Sequence, residues 1–254
     1  MSDNTSAGVL ILLRHGESTA NADDRFGGWR DYPLTEQGRR EAADAATVLA
    51  KAGLVPEAVH TSVLRRAVDT ADLVLEAMSV ADVVPQRSWR LNERHYGKLQ
   101  GRSRADARRE FGAEPVATWR RSYDAVPPPV AVADPDHPRN DARYADLPAH
   151  ELPASESLAD VRRRLVPYWR QSVCRDLRAG RVTLVVAHGN SLRALCMHLD
   201  SASADEIRAA EVPTGIPLRF DLDDDLTPLV RGGRYLSSTG VGRPIGYSTP
   251  APAD

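Results

Sequence analysis

Two short apolar runs, Val9-Leu-Ile-Leu-Leu13 and Val182-Thr-Leu-Val-Val-Ala187, each lead within two residues into His-Gly and then a serine, as His15-Gly-Glu-Ser18 and His188-Gly-Asn-Ser191. Runs this short, branched and free of polar alternation read as strands buried on both faces, which calls for a parallel sheet covered by helices. After the second run, Leu192, Leu195, Cys196 and Leu199 fall at helical spacing and predict a helix starting near Ser191. Strand, His-Gly, helix is an α/β pattern, and it sets both His-Gly pairs at strand carboxyl ends, where open α/β sheets bind ligands.

The other segments agree with that class. Thr35 caps a helix running to about Ala52 with Gly53 as its stop, and Val63, Ala67, Ala71, Val74 and Met78 line one face of another. Ser157 and Asp160 have capping-box spacing for a long helix to about Leu177, which Pro167 is expected to kink. Ile216, Leu218, Phe220 and Leu222 alternate with other residues, predicting a half-buried antiparallel strand at a sheet edge. A chain of 254 residues can bury its core without a disulfide or metal staple, so a single domain over 1–254 is expected. Within it, Ser122–Pro153 holds seven of the 18 prolines and reads as a long insert, and Gly232–Asp254, rich in Gly, Ser, Thr and Pro, reads as a mobile tail.

Charge narrows the function. With 33 Lys+Arg against 35 Asp+Glu, the chain lacks the basic excess of a general nucleic-acid binder, so any anion site must be local. Cys174 and Cys196 are too few for a disulfide framework or a zinc site and fit a reducing compartment. Met1–Ala7 has no basic leader, and no apolar run approaches the about 18 to 20 residues that a membrane span needs, so a cytoplasmic protein without membrane contact is expected.

If the two apolar strands are neighbours, His15 and His188 face one pocket together with Arg14 and Asn190. Such a pair could bind a metal or serve phosphoryl transfer. A metal would need further ligands at suitable spacing and would be repelled by arginine. Arginine favours phosphoryl chemistry: nearby cations disfavour a protonated imidazole, leaving a ring nitrogen free as nucleophile, while planar guanidinium groups hold phosphate oxygens.

The stretch Leu13-Arg-His-Gly-Glu-Ser18 resembles the signature of the histidine phosphatase superfamily. Longer segments are similar to its cofactor-dependent phosphoglycerate mutase branch, whose members use 2,3-bisphosphoglycerate. These include Arg25-Phe-Gly-Gly-Trp29, Thr61-Ser-Val-Leu-Arg-Arg-Ala67, Leu91-Asn-Glu-Arg-His-Tyr-Gly97, Leu99-Gln-Gly101 and Trp119-Arg-Arg-Ser-Tyr-Asp124. Glu156-Ser-Leu158, Ala187-His-Gly-Asn-Ser-Leu-Arg-Ala194 and Pro213-Thr-Gly-Ile-Pro217 continue the likeness, which spans Leu10 to Leu229.

The resemblance implies a three-layer α/β fold, a mostly parallel sheet with helices on both faces. It implies that His15 is the nucleophile that becomes phosphorylated, that Glu93 gives and takes the substrate hydroxyl proton, and that His188 stabilises the transferring group. Arg14 and Arg66 resemble the phosphoryl clamp, with Asn21 and Asn190 as neutral donors, and Arg120, Arg121 and Tyr96 resemble holders of the rest of the substrate. Ser18, Gly27, Gly28, Arg94, Arg104 and Gly189 complete the implied binding set. No metal is implied; the partners are a small phosphorylated acid and further copies of the chain, as a homodimer or homotetramer.

Three features depart from the branch. Gly27 stands where a hydroxyl residue is usual, Arg104 where lysine is usual, and the tail after Tyr235 lacks the usual ending. The expected reaction is interconversion of 3-phosphoglycerate and 2-phosphoglycerate through phospho-His15, primed by 2,3-bisphosphoglycerate. The departures motivate an alternative, a phosphatase or a mutase for another small phosphorylated acid. A non-catalytic phospholigand sensor is a third reading, against which His15, Glu93 and His188 argue together.

Overall fold

The computed structural model describes residues 8–247; Met1–Ala7 and the end of the expected tail, 248–254, lie outside them. The described chain opens with β1 (Gly8–Arg14), the single-turn α1 (Thr19–Ala22), α2 (Glu36–Lys51), β2 (Ala58–Thr61), α3 (Arg65–Ala77) and β3 (Gln86–Arg87). Next come α4 (Arg104–Phe111), α5 (Ala113–Arg121), α6 (Leu158–Tyr168), α7 (Cys174–Arg178), β4 (Thr183–Ala187) and α8 (Gly189–Leu199). Three strands close it: β5 (Leu218–Leu222), β6 (Arg234–Ser237) and β7 (Gly240–Val241).

The strands form one seven-stranded sheet in the order β3-β2-β4-β1-β5-β6-β7. The first four are mutually parallel, and β5, β6 and β7 are added antiparallel. Because side chains alternate across a strand, β1 sends Leu10 and Leu12 toward the α6–α8 side and Ile11 and Leu13 toward α2 and α3. All four are fully buried, which is why the run shows no polar alternation. β1 and β4 pair in register, Arg14 opposite Ala187, so His15 and His188 leave adjacent strands at one level.

Several boundaries differ from the sequence expectation. α8 starts at Gly189 rather than near Ser191, with His188 in the capping position, its N–H donating to Ser191 Oγ (3.0 Å). Val63 and Met78 flank α3 instead of lying inside it. β5 is internal, not an edge, and Ile216 falls outside it and is exposed. The edge is made instead by β6 and β7, from the stretch expected to be a mobile tail; there Leu236 and Ile245 are buried, and Gly232 N–H donates to Asp200 Oδ1 (3.1 Å). The missed signal is short: β6 is four residues, too few for a period to register.

The Ser157–Asp160 capping box forms as expected. Two residues beyond Pro167, the helix changes to π-type hydrogen bonding over Trp169–Val173 before α7 resumes it. In the proline-rich insert, Tyr144, in the short 3₁₀ turn Ala142–Tyr144, and Val130, whose N–H donates to Ala154 O (3.1 Å), are buried, and Tyr144 Oη accepts from Asn92 Nδ2 (2.9 Å).

The start of α2 packs backbone to backbone on the His15 loop. A Cβ at Gly16 would lie 2.2 Å from Gly38 O, and one at Gly38 2.1 Å from Glu17 O. Elsewhere in a helix Gly→Ala adds about 0.5–1 kcal/mol of stability. Here overpacking reverses the sign: Gly38→Ala is expected to cost about 1–3 kcal/mol in urea denaturation. A stabilised Gly38→Ala variant would contradict this packing.

Candidate active site

Beyond the carboxyl ends of β1 and β4 lies a cavity of about 920 Å³. Eight arginines line it against two glutamates, Glu93 and Glu211. Of the sixteen residues singled out from the sequence, all line this cavity except His188 and Arg94. Arg94 is buried behind the wall, its guanidinium 4.6 Å from the Tyr96 ring centroid and donating to Trp119 O (2.8 Å). His188 is also fully buried, its ring centroid 5.0 Å from that of His15.

His15 leaves β1 with its N–H on Ala187 O (3.0 Å). Its Nδ1 is 2.7 Å from Gly16 O. A carbonyl only accepts, so Nδ1 carries the proton and Nε2 holds the lone pair. Arg66 Nε donates to that Nε2 at 3.2 Å. Burial, reinforced by the charges of Arg66 and Arg14 and only partly opposed by Gly16 O, holds this imidazole well below its usual range. The result is a neutral ring with its lone pair at the arginine-rich end of the cavity.

Arg66 is itself fixed: beyond His15, it donates to Arg30 O (3.0 Å) and Gly28 O (2.8 Å). Gly28 has φ +53°, and a Cβ there would meet Gln100 Oε1 at 2.0 Å, so no other residue delivers that carbonyl in this way. Asn21 turns Oδ1 to Ser18, accepting from its N–H (3.0 Å) and Oγ (2.7 Å), which directs its amide NH₂ elsewhere. Arg14 donates to Val212 O (2.9 Å) and keeps Nε buried without a partner among the described residues.

Ser62 Oγ accepts from Leu64 N–H (3.2 Å) and lies 2.8 Å from His188 Nε2, which fixes the orientation of the ring. The other ring nitrogen, Nδ1, is buried and without a partner among the described residues. Burial first, then the charges of Arg66 and Arg14, hold this ring neutral as well.

Glu93 sits in the irregular segment after Trp89–Leu91. Its Oε1 accepts from three N–H groups: Arg94 N (2.7 Å), Asn190 N (3.2 Å) and Asn190 Nδ2 (2.9 Å). The same Asn190 Nδ2 also donates to Tyr96 Oη (2.8 Å). From behind, Arg164 Nη2 holds Asn92 O and Glu93 O (both 2.9 Å) while pairing with Glu156, and Trp29 Nε1 donates to Glu93 O (2.6 Å).

At the cavity mouth, Arg104 pairs with Asp24 (2.8 Å), and Arg121 reaches Glu211 (3.4 Å) and Arg208 O (3.3 Å). Arg120, half-buried, has no hydrogen bond or ion pair among the described residues, and burial together with neighbouring Arg104 lowers its pKa. Sequence reasoning did not single out Arg25, Arg193, Tyr235 and Arg243, which also line the cavity. Arg25 and Arg193 fall inside segments read as family-like; Tyr235 and Arg243 belong to the stretch read as tail. Among the described residues, no helix is long and apolar enough to cross a membrane, and no three or more His, Cys, Asp or Glu gather as a metal-holding group.

This arrangement of fold and histidines agrees with comparison to known proteins. The model of the histidine phosphatase superfamily (branch 1) matches residues 10–134 and 131–231, and the chain belongs to that superfamily. Several relatives with one shared description match it over most of its length. A 2,3-bisphosphoglycerate-dependent phosphoglycerate mutase of Thermobifida fusca is 52% identical over 228 residues, 90% of this chain and 92% of that one. One of Mycobacterium leprae is 48% identical over 242 residues, 95% of this chain and 97% of that one. Among solved structures, a mycobacterial glucosyl-3-phosphoglycerate phosphatase in complex with VO3 has TM-score 0.64 at 28% identity, covering 84% of this chain and 92% of its own. The alpha-ribazole phosphatase of Shigella flexneri shares the fold, with TM-score 0.66 at 24% identity over 92% of this chain and 98% of its own.

The two neutral histidines tie stability to pH. Unfolded imidazoles take up a proton near 6.5, so below that pH the unfolded state binds more protons than the folded one and stability falls as pH falls. From pH 7.5 to 5.5 each ring accounts for up to about 1.4 kcal/mol of that loss. The double variant His15→Asn/His188→Asn is therefore expected to lose about 2–3 kcal/mol less than the parent over this interval, measured by denaturant midpoints. Equal losses would show that the rings protonate in the folded state.

Proposed function

We propose that the chain interconverts 3-phosphoglycerate and 2-phosphoglycerate through a phosphorylated His15. The observation that carries the reading is the His15 Nε2 lone pair, held by Arg66 in a cavity that also contains Glu93. The curated relatives support the choice of substrate.

The cavity suits 2,3-bisphosphoglycerate. Its arginine excess matches a polyanion, and the unpartnered Arg14 Nε is a buried donor that a phosphate oxygen would satisfy. Bound there, 2,3-bisphosphoglycerate supplies the first phosphoryl group. His15 Nε2 attacks phosphorus in line as the bond to the departing oxygen breaks, and Glu93 gives that oxygen a proton. In the second half Glu93 takes the proton from the free hydroxyl of a bound phosphoglycerate, whose oxygen attacks phosphorus as the phosphorus–nitrogen bond breaks and frees His15. Arg14, Arg66 and His188 spread the charge of the transferring group, so the protein's own cations serve where a metal otherwise would. Gly189 adds an N–H group from the start of α8, and Arg120, Arg121 and Tyr96 hold the remainder of the acid. A cytoplasmic homodimer or homotetramer is the setting that family likeness supports.

One observation favours hydrolysis as the competing outcome. A Cβ on Gly27 would sit in ordinary contact with Ala20, Arg66 and Tyr32 at 3.6–3.9 Å, so the cavity wall beside Arg66 lacks a side chain that would fit there and shield it. Phosphorus NMR of the protein with 3-phosphoglycerate, a trace of 2,3-bisphosphoglycerate and a chelator separates the two. The expected result is 2-phosphoglycerate at constant organic phosphate. Steady growth of inorganic phosphate without isomerisation would replace the mutase by a phosphatase. His15→Ala is expected to lower either activity by roughly 10⁴-fold or more and to leave no acid-labile protein phosphate.

A further inference from the structure

Arg193 lines the cavity, yet no step above uses it. It lies one turn into α8, beyond Asn190. Its Nη2 donates to Ile207 O (2.6 Å), its Nη1 donates to Asn190 Oδ1 (3.1 Å), and its Nε is buried without a partner among the described residues. A part-buried guanidinium with a buried, unpartnered Nε needs a reason, because desolvating that donor is costly.

The Asn190 contact supplies one. Arginine has donors only, so the Asn190 side chain must present its oxygen to Arg193 and its NH₂ to the opposite side. On that side Nδ2 meets Glu93 Oε1 and Tyr96 Oη. Two of the three hydrogen bonds that hold Glu93 Oε1 thus come from a residue whose amide Arg193 anchors. The other end of Arg193 is tied to the Glu206–Arg208 turn, next to the Ala209–Val212 wall of the cavity.

We propose that Arg193 is a positioning residue: by holding Asn190 Oδ1 it fixes Nδ2 on Glu93 Oε1 and so aims the second carboxylate oxygen at the substrate oxygen that gains or loses a proton. The inference rests on the role assigned to Glu93 above. It predicts a loss confined to reactions that need that proton. When a phosphoglycerate donates to His15, the departing alkoxide must be protonated; when p-nitrophenyl phosphate donates, the departing phenolate need not be.

The test measures phosphorylation of His15 from both donors in the same sample, so that any loss of folded protein cancels in the ratio. Arg193→Met is expected to slow transfer from phosphoglycerate about 10- to 100-fold while transfer from p-nitrophenyl phosphate changes less than about threefold. Arg193→Lys, which keeps a donor for Asn190 Oδ1, is expected to recover part of the ratio. Glu93→Gln is expected to show the same selectivity more strongly, and Arg193→Met added to it no further selective loss. If Glu93→Gln slows both donors equally, the Glu93 assignment fails. If Glu93→Gln is selective and Arg193→Met is not, the Arg193 inference is overturned and the Glu93 assignment stands.

Discussion

A neutral imidazole beside a buried guanidinium is the interaction on which the rest of the site depends. Arg66 can approach His15 Nε2 at 3.2 Å only because that nitrogen has a lone pair, and it has one because Gly16 O takes the proton on Nδ1. A protonated ring in the same place would set two cations against each other in a buried pocket. The fold removes that option: desolvation and the Arg66 and Arg14 charges act in the same direction. On the proposed reading, one contact therefore prepares both nucleophile and phosphate holder.

The surrounding structure keeps that contact in place and brings the Glu93 carboxyl into the same cavity. In-register pairing of β1 with β4 sets the two histidines side by side. The backbone contact between Gly16 and Gly38 seats the His15 loop on α2. Glu93 sits in irregular chain, and its fixity comes from behind, through the buried Arg164–Glu156 pair (2.6 Å) and the Trp29 indole. Removing either partner of such a pair would leave an uncompensated buried charge, a larger penalty than the pair's own net worth. The proline-rich insert joins this support through Tyr144 on Asn92.

How much of this could be read from the sequence varied with the kind of signal. β1, β4, the Thr35-capped helix and the Ser157–Asp160 box were all legible, because a buried run or a cap is a local pattern that burial and unsatisfied N–H groups impose directly. The start of α8 was set two residues late, since periodicity begins at Leu192 while the histidine's own backbone makes the cap. β6 and β7 were missed because pairing with β5, a tertiary event, and not any pattern of their own makes them strands. In the site, family likeness pointed to residues that line the cavity, but not to those that act at one remove. Ser62, Arg164 and Arg193 are ordinary in an arginine-rich sequence; only the direction of their hydrogen bonds distinguishes them.

The central claim is the protonation state of His15, and nitrogen NMR of protein labelled in its histidines reads it directly. The account predicts a His15 ring protonated on Nδ1, with Nε2 unprotonated, and no change between about pH 7.5 and 6, where a free imidazole titrates. A His15 ring that titrates near 6.5, or that carries its hydrogen on Nε2, would contradict it.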